Sequence, residues 1–187
     1  YRSYELFTAK PDGSDLQLLY GANSHQTGTD GSEVQFFDPR PMGNGELLVR
    51  AQPFTATDFG GQLVSIDVDD YVEDTQPTLP NVGVLAGPAQ KLATPNEVVT
   101  VAGPSPGGRY ASAFPLRDGT GRLIVSWSEC RLLDEDERII PCTEELLATG
   151  TTIAAPPIYG VWIYDPRDET QLPIVAPDEG WVYSDAV

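Results

Sequence analysis

Apolar and polar positions alternate along this chain in short runs, and nearly every run is cut by glycine, proline or an acidic residue. Leu6 and Phe7 lead into the polar stretch TAKPDGSD, and the chain turns apolar again in LQLLYG. A period of two puts successive side chains on opposite faces of a strand, whereas a helix repeats at about 3.6 residues. Between the two runs Pro11 fixes its own φ, Asp12 accepts local amide hydrogen bonds and Gly13 tolerates positive φ. PDG therefore predicts the turn of an antiparallel hairpin, with Lys10, Asp12 and Asp15 on a solvated tip. The design recurs in GGQLVSIDVDDYVEDTQP, where Leu63, Ser65 and Asp67 alternate with Val64, Ile66 and Val68, followed by the short strand AQKLAT. It recurs again in YGVWIYDPRDETQLPIVAP, as a strand from Gly160 to Tyr164, the turn DPRDET and a strand from Gln171 to Val175. Three copies of strand, polar turn and shorter strand indicate repeated antiparallel units.

Between these copies EVQFFDP, GELLVRAQPF, RYASAFPL and GRLIVSWSE read as further strands. Seventeen prolines and eighteen glycines divide the chain into short pieces, which suits an all-β protein with ample loops. Helix is scarce. CTEELLATG predicts one short turn capped by Thr143 and ended at Gly150, and DVDDYVEDTQ has room for another. The intervals are uneven, Leu63 following Leu6 by 57 residues and Val161 following Leu63 by 98. Approximate repeat units are 1–33, 34–103 and 104–187. LPNVGVLAGPAQKLATPNEVV and EDERIIPCTEELLATGTTIAAPP read as long loop insertions.

Charge narrows the partners. Eleven basic against 28 acidic residues give a net charge of -17, which disfavours nucleic acid and anionic membrane and favours cationic partners or divalent ions. No apolar run approaches the length of a membrane span, so direct membrane insertion is not expected. Tyr1 enters a strand-like segment with no basic or apolar leader before it. The two cysteines, Cys130 and Cys142, sit in SECRLLDEDERIIPC among polar residues and predict a disulfide closing an extracytoplasmic loop.

ELFTAKPDGSDLQLL, echoed by GVWIYDPRDETQLPIV, resembles the third and fourth strands of the WD40-like blades of TolB-type bacterial periplasmic β-propellers. PSPGGRYAS, from Pro104 to Ser112, resembles the turn that precedes the next strand of such a blade. FFDPRPMGNGELLVRA is similar to a diverged version, with its turn at Gly43 to Gly45 and its strand at Glu46 to Arg50. The resemblance covers about half the chain and implies a partial or small β-propeller of antiparallel blades, periplasmic or extracellular. The cysteine loop and the uneven intervals depart from the family pattern. Three or four blades' worth of chain further implies completion by the remainder of a larger chain or by a protein partner. SHQTGTDG, GGQLVSIDV and GRLIVSWSEC also resemble propeller segments joined to cytochrome c domains in large periplasmic oxidoreductases, such as the hydrazine synthase alpha subunit. The chain has no CxxCH motif, so a haem would belong to an absent segment or a partner.

No self-contained active site is visible. His25, the single histidine, is the weak catalytic candidate, because imidazole titrates near neutrality and binds metals. Asp67, Asp69, Asp70, Glu73 and Asp74 are the candidate calcium ligands, hard oxygen donors that would repel one another if they converged, although an EF-hand spacing is absent. Asp134, Glu135, Asp136 and Glu137 read as an exposed rim. Trp162 is expected in the core and Trp181 at the periphery. None of the glycine-rich stretches supplies a phosphate loop, and a small ligand is left unnamed. The expectation is a noncatalytic extracytoplasmic β-propeller segment acting as an interaction or assembly scaffold. The alternatives are a propeller segment of a redox complex and a calcium-stabilised extracellular binding module.

Overall fold

The computed structural model describes residues 5–21, 33–55, 57–68, 72–73, 76–77 and 90–185. The PDG turn joins β1 (Leu6–Thr8) to β2 (Gln17–Tyr20) as an antiparallel hairpin. Lys10, Asp12 and Asp15 stand exposed at its tip, Lys10 paired with Asp15 at 3.4 Å. Asp12 Oδ1 accepts from the Ser14 amide at 3.0 Å, which closes the turn locally.

Two four-stranded antiparallel sheets follow, built in the same order. The first runs β3 (Val34–Pro41), β4 (Leu47–Pro53), β5 (Gln62–Ile66) and β8 (Gln90–Leu92). The second runs β9 (Arg109–Pro115), β10 (Leu123–Ser128), β14 (Gly160–Asp165) and β15 (Thr170–Val175). The second and third copies of the sequence pattern thus form neighbouring antiparallel pairs, β5 with β8 and β14 with β15, at the third and fourth positions of their sheets. The four further strands read from sequence are β3, β4, β9 and β10.

Alternation decides how these layers stack. Val49, Ala51, Val64 and Ile66 of the first sheet pack with Val34 and Phe36 against Leu6 and Tyr20 of the hairpin. Leu48 and Leu63, on the opposite face, pack against Tyr110, Ala113, Leu123, Val125 and Tyr164 of the second sheet. Each fully buried aliphatic side chain contributes roughly 1.5–3 kcal/mol, so both faces of the first sheet are held by core. Trp162, expected in the core, is only half-buried at the margin of the second cluster, edge-on to Trp127, while Trp181 is 65% exposed, as the sequence indicated.

Between β10 and β14 the chain forms a small sheet ordered β12 (Ile139–Pro141), β11 (Arg131–Leu133), β13 (Ile153–Ala154). The stretch EDERIIPCTEELLATGTTIAAPP is therefore not simply a loop. Helix α1 (Glu144–Ala148) lies within it, Thr143 Oγ1 accepting from the Leu146 amide at the N-cap as expected. Cys130 and Cys142 form the disulfide, their Cα atoms 5.6 Å apart. DVDDYVEDTQ differs from expectation: its described residues pair as β6 (Val72–Glu73) and β7 (Gln76–Pro77), two strands in place of a helical turn. Val72 is β-branched and Pro77 cannot continue a helix, both of which favour extended backbone.

Candidate functional site

Among the described residues, seven non-glycine residues have left-handed backbone. Asp15, Arg117, Glu137 and Glu169 lie in hairpin connections, where a tight turn requires it. Asp58 and Phe59 are the central pair of a turn in the β4–β5 connection, closed by the Gly60 amide on the Thr57 carbonyl at 2.9 Å, whereas Asp38 lies within a strand; Asp38 and Phe59 line one cleft. Asp38 (φ 54°) lies at the irregularity in β3 where the pairing with β4 shifts between Phe37 and Arg40. Asp58 (φ 46°) and Phe59 (φ 67°) lie in the β4–β5 connection. A bulky aromatic with positive φ persists only where its surroundings over-determine it, and such residues cluster at binding sites.

Tyr159 supplies part of that restraint. Its buried hydroxyl donates to the Asp58 carbonyl at 3.0 Å, and the backbones of Gly61 and Tyr110 pair reciprocally at 2.9 Å. Gly60 fits between them because it has no side chain. A Cβ there would stand 2.4 Å from Tyr159 Oη and 2.6 Å from Arg109 Cβ. Burial, the largest influence on Tyr159, pushes its phenol well above the ordinary value, so it keeps its proton and serves as a donor.

Two arginines, Arg50 and Arg109, flank this tyrosine, and a third, Arg40, lines the same cleft. Arg50, on β4, has a side chain only 11% exposed. One terminal nitrogen donates to the Phe59 carbonyl at 2.5 Å and to the Ala111 carbonyl, and the other pairs with Asp38 at 3.1 Å. The group lies 5.2 Å from the Phe37 ring centroid. Arg50 thus ties β4 to β9 and to the strained loop. Arg109 is 7% exposed and donates to the Gly103 carbonyl at 2.8 Å. Burial lowers the pKa of both groups, more than the neighbouring Asp38 and Tyr159 for Arg50, or Tyr159 and Asp58 for Arg109, raise it. Arg40, at the end of β3, lies over Phe114 with 5.7 Å to the centroid. Arg40, Arg50 and Phe59 line a cleft of about 490 Å³ with Tyr159, Ser184 and Asp185. The Nε atoms of Arg40, Arg50 and Arg109 are buried with no hydrogen-bond partner.

The sequence candidates lie elsewhere. His25 falls outside the described residues, as do Asp69, Asp70 and Asp74, and the side chain of Glu73 is likewise not described. Asp67 is half-buried at the end of β5 and has a partner. Among the described residues no three of His, Cys, Asp or Glu are grouped to hold a metal ion, and no helix is long and apolar enough to cross a membrane. Asp134 closes the β11–β12 turn by accepting from the amides of Asp136 and Arg138 at 2.9 and 2.7 Å, and Glu135, Asp136 and Glu137 are exposed as expected of a rim. The arginine cleft was not singled out by sequence reasoning. Its available signal was three cations, Arg40, Arg50 and Arg109, each on a strand in a chain with eleven basic residues. Comparison of the chain with protein-family models, with curated proteins and with solved structures gives no match.

Proposed function

We propose that the chain is a noncatalytic segment of a β-propeller whose role is assembly: it presents one sheet face to another four-stranded antiparallel sheet of the same build. The observation that carries this reading is the far face of the second sheet. Phe114, Ile124, Ile163 and Leu172 lie in register across β9, β10, β14 and β15 on the side away from the core shared with the first sheet. Val161 and Val175 continue the face. Leu172 is 60% exposed, and the other three of the row are only half-buried. This face offers branched and aromatic side chains like those by which the two existing sheets pack, so a further sheet extends an interface already built once. Parallel stacking of sheets with a common strand order is the arrangement of propeller blades. The Cys130–Cys142 disulfide suits an oxidising, extracytoplasmic setting.

Native mass spectrometry of material purified from its source, with nonreducing release of subunits, tests the reading. A covalent mass above 20.2 kDa or a released companion chain is expected. A single 20.2 kDa species at all concentrations would sink it. Leu172→Glu in the assembled material should release the companion without disturbing the first sheet.

A further inference from the structure

The cleft beside β3 and β4 contains more guanidinium than the protein uses. Arg50 has both terminal nitrogens engaged by carbonyls and Asp38. Arg40 forms no ion pair among the described residues, and its group, which lines the cleft, is supported by the ring of Phe114. Asp38 also lines this cleft, in a left-handed conformation at the β3 irregularity, and the turn of the β4–β5 connection holds Phe59 at its rim.

We propose that the cleft binds a carboxylate carried on an apolar body, with Arg40 as its cationic anchor. A planar fork of donors matches a carboxylate, and the ring beneath Arg40 fixes the plane of that fork. Phe59, Val182 and Tyr159 supply apolar wall for the body of the ligand, and Phe59, 77% exposed, stands at the rim. About 490 Å³ accommodates a molecule the size of an aromatic acid or one terminal residue of a peptide. The lining also holds Asp38, already engaged by Arg50, and the exposed Asp185. In a chain of net charge -17 these acids select a singly charged ligand over a phosphate dianion. The site shares Phe114 with the outer face of the second sheet, but its test reads Arg40 in the full chain with no companion present, so its failure is distinguishable from failure of the assembly reading.

Arginine Nε–Hε NMR signals of the full chain read the interaction directly. Benzoate is the probe for a free acid, N-acetyl-glycyl-phenylalanine the probe for a polypeptide end, and benzamide the neutral isostere. A saturable shift of the Arg40 signal with at least one carboxylate, and none with benzamide, is expected. Arg40→Gln should weaken binding at least tenfold while the backbone amide spectrum stays in place, and Arg117→Gln, on an exposed hairpin turn, should leave it unchanged. Peptide binding at least tenfold tighter than benzoate supports the site as a receptor for a chain end; equal or weaker peptide binding supports it as a site for a free acid. The proposal is overturned if neither carboxylate gives a saturable shift, if benzamide shifts Arg40 equally, or if Arg40→Gln binds as tightly as the parent.

Discussion

Arg40 and Arg50 stand on neighbouring strands beside the same cleft, yet they do different work. Arg50 is a structural cation: it joins the Ala111 carbonyl of β9 to the Phe59 carbonyl of the β4–β5 connection and holds Asp38 in its bulge. Among the described residues Arg40 makes one ring contact and no ion pair, and an unpartnered buried Nε is common to both. Charge-assisted hydrogen bonds contribute about 1.5–3 kcal/mol each, whereas a partly exposed cation over an aromatic ring contributes about 0.5–1 kcal/mol. Arg50→Met, which keeps the aliphatic stem, should therefore cost about 3 kcal/mol in urea unfolding, and Arg40→Gln less than about 1 kcal/mol. Equal losses would mean that Arg40 is structural too. The difference was not legible in the sequence, because nothing local to FFDPR or LLVRA says which arginine will face a carbonyl from a strand some 60 residues away. His25 and the acidic run from Asp67 to Asp74 drew the eye because their chemistry is local and nameable.

At the scale of strands and turns one device repeats. Asp12, Asn44, Asp118, Asp134 and Asp165 each accept from the amide two residues on, at the tips of the β1–β2, β3–β4, β9–β10, β11–β12 and β14–β15 hairpins. The side chain substitutes for a missing backbone acceptor and closes the turn. Asp118, held by the Thr120 hydroxyl and then by the Thr120 amide, has its carboxyl lowered to about 2. Asp165, held by the Arg167 guanidinium and then by the Arg167 amide, is also lowered to about 2. A carboxyl with a folded pKa below its unfolded value contributes stability that is present above the unfolded value, about 3.9, and is lost as pH falls through the folded one. Thermal midpoints should thus fall between about pH 4 and pH 2, and Asp165→Asn should flatten part of that fall. An unchanged profile in the variant would assign the acid sensitivity to other groups. This chemistry is also why most of the fold was legible: turn residues at fixed offsets and period-two alternation locate the long strands. The small sheet of β11, β12 and β13 escaped because β12 and β13 have three and two residues, too few for a period, and are separated by a helix. Its core residue Leu132 is fully buried through pairing that is nonlocal.

Over the whole molecule 28 acids, four of them closing turns, outweigh 11 basic residues to give a net charge of -17, and this sets how the fold responds to salt. Two electrostatic effects compete. Surface pairs such as Lys10–Asp15, Lys91–Glu46, Arg122–Asp118, Arg138–Asp136 and Arg167–Asp165 attract at separations of 2.6 to 3.4 Å. Each contributes about 0–1 kcal/mol. Repulsion among unpaired carboxylates acts between turns at opposite ends of the sheets, over tens of ångströms. The screening length shrinks from about 30 Å at 0.01 M salt to about 8 Å at 0.15 M, which removes most of the long-range repulsion but leaves contacts of about 3 Å largely intact. Repulsion is therefore the larger loss, and sodium chloride should stabilise the chain across this range. The thermal midpoint is expected to rise by about 2–4 °C, the shift that a change near 1 kcal/mol produces in a domain of this length. A fall would show that close pairs, rather than excess carboxylates, dominate the electrostatics. Assembly responds to the same screening: if the proposed companion sheet on the face of Ile124, Ile163 and Leu172 is acidic like this chain, its binding should strengthen over the same interval of salt, and a fall in binding would assign it a basic surface.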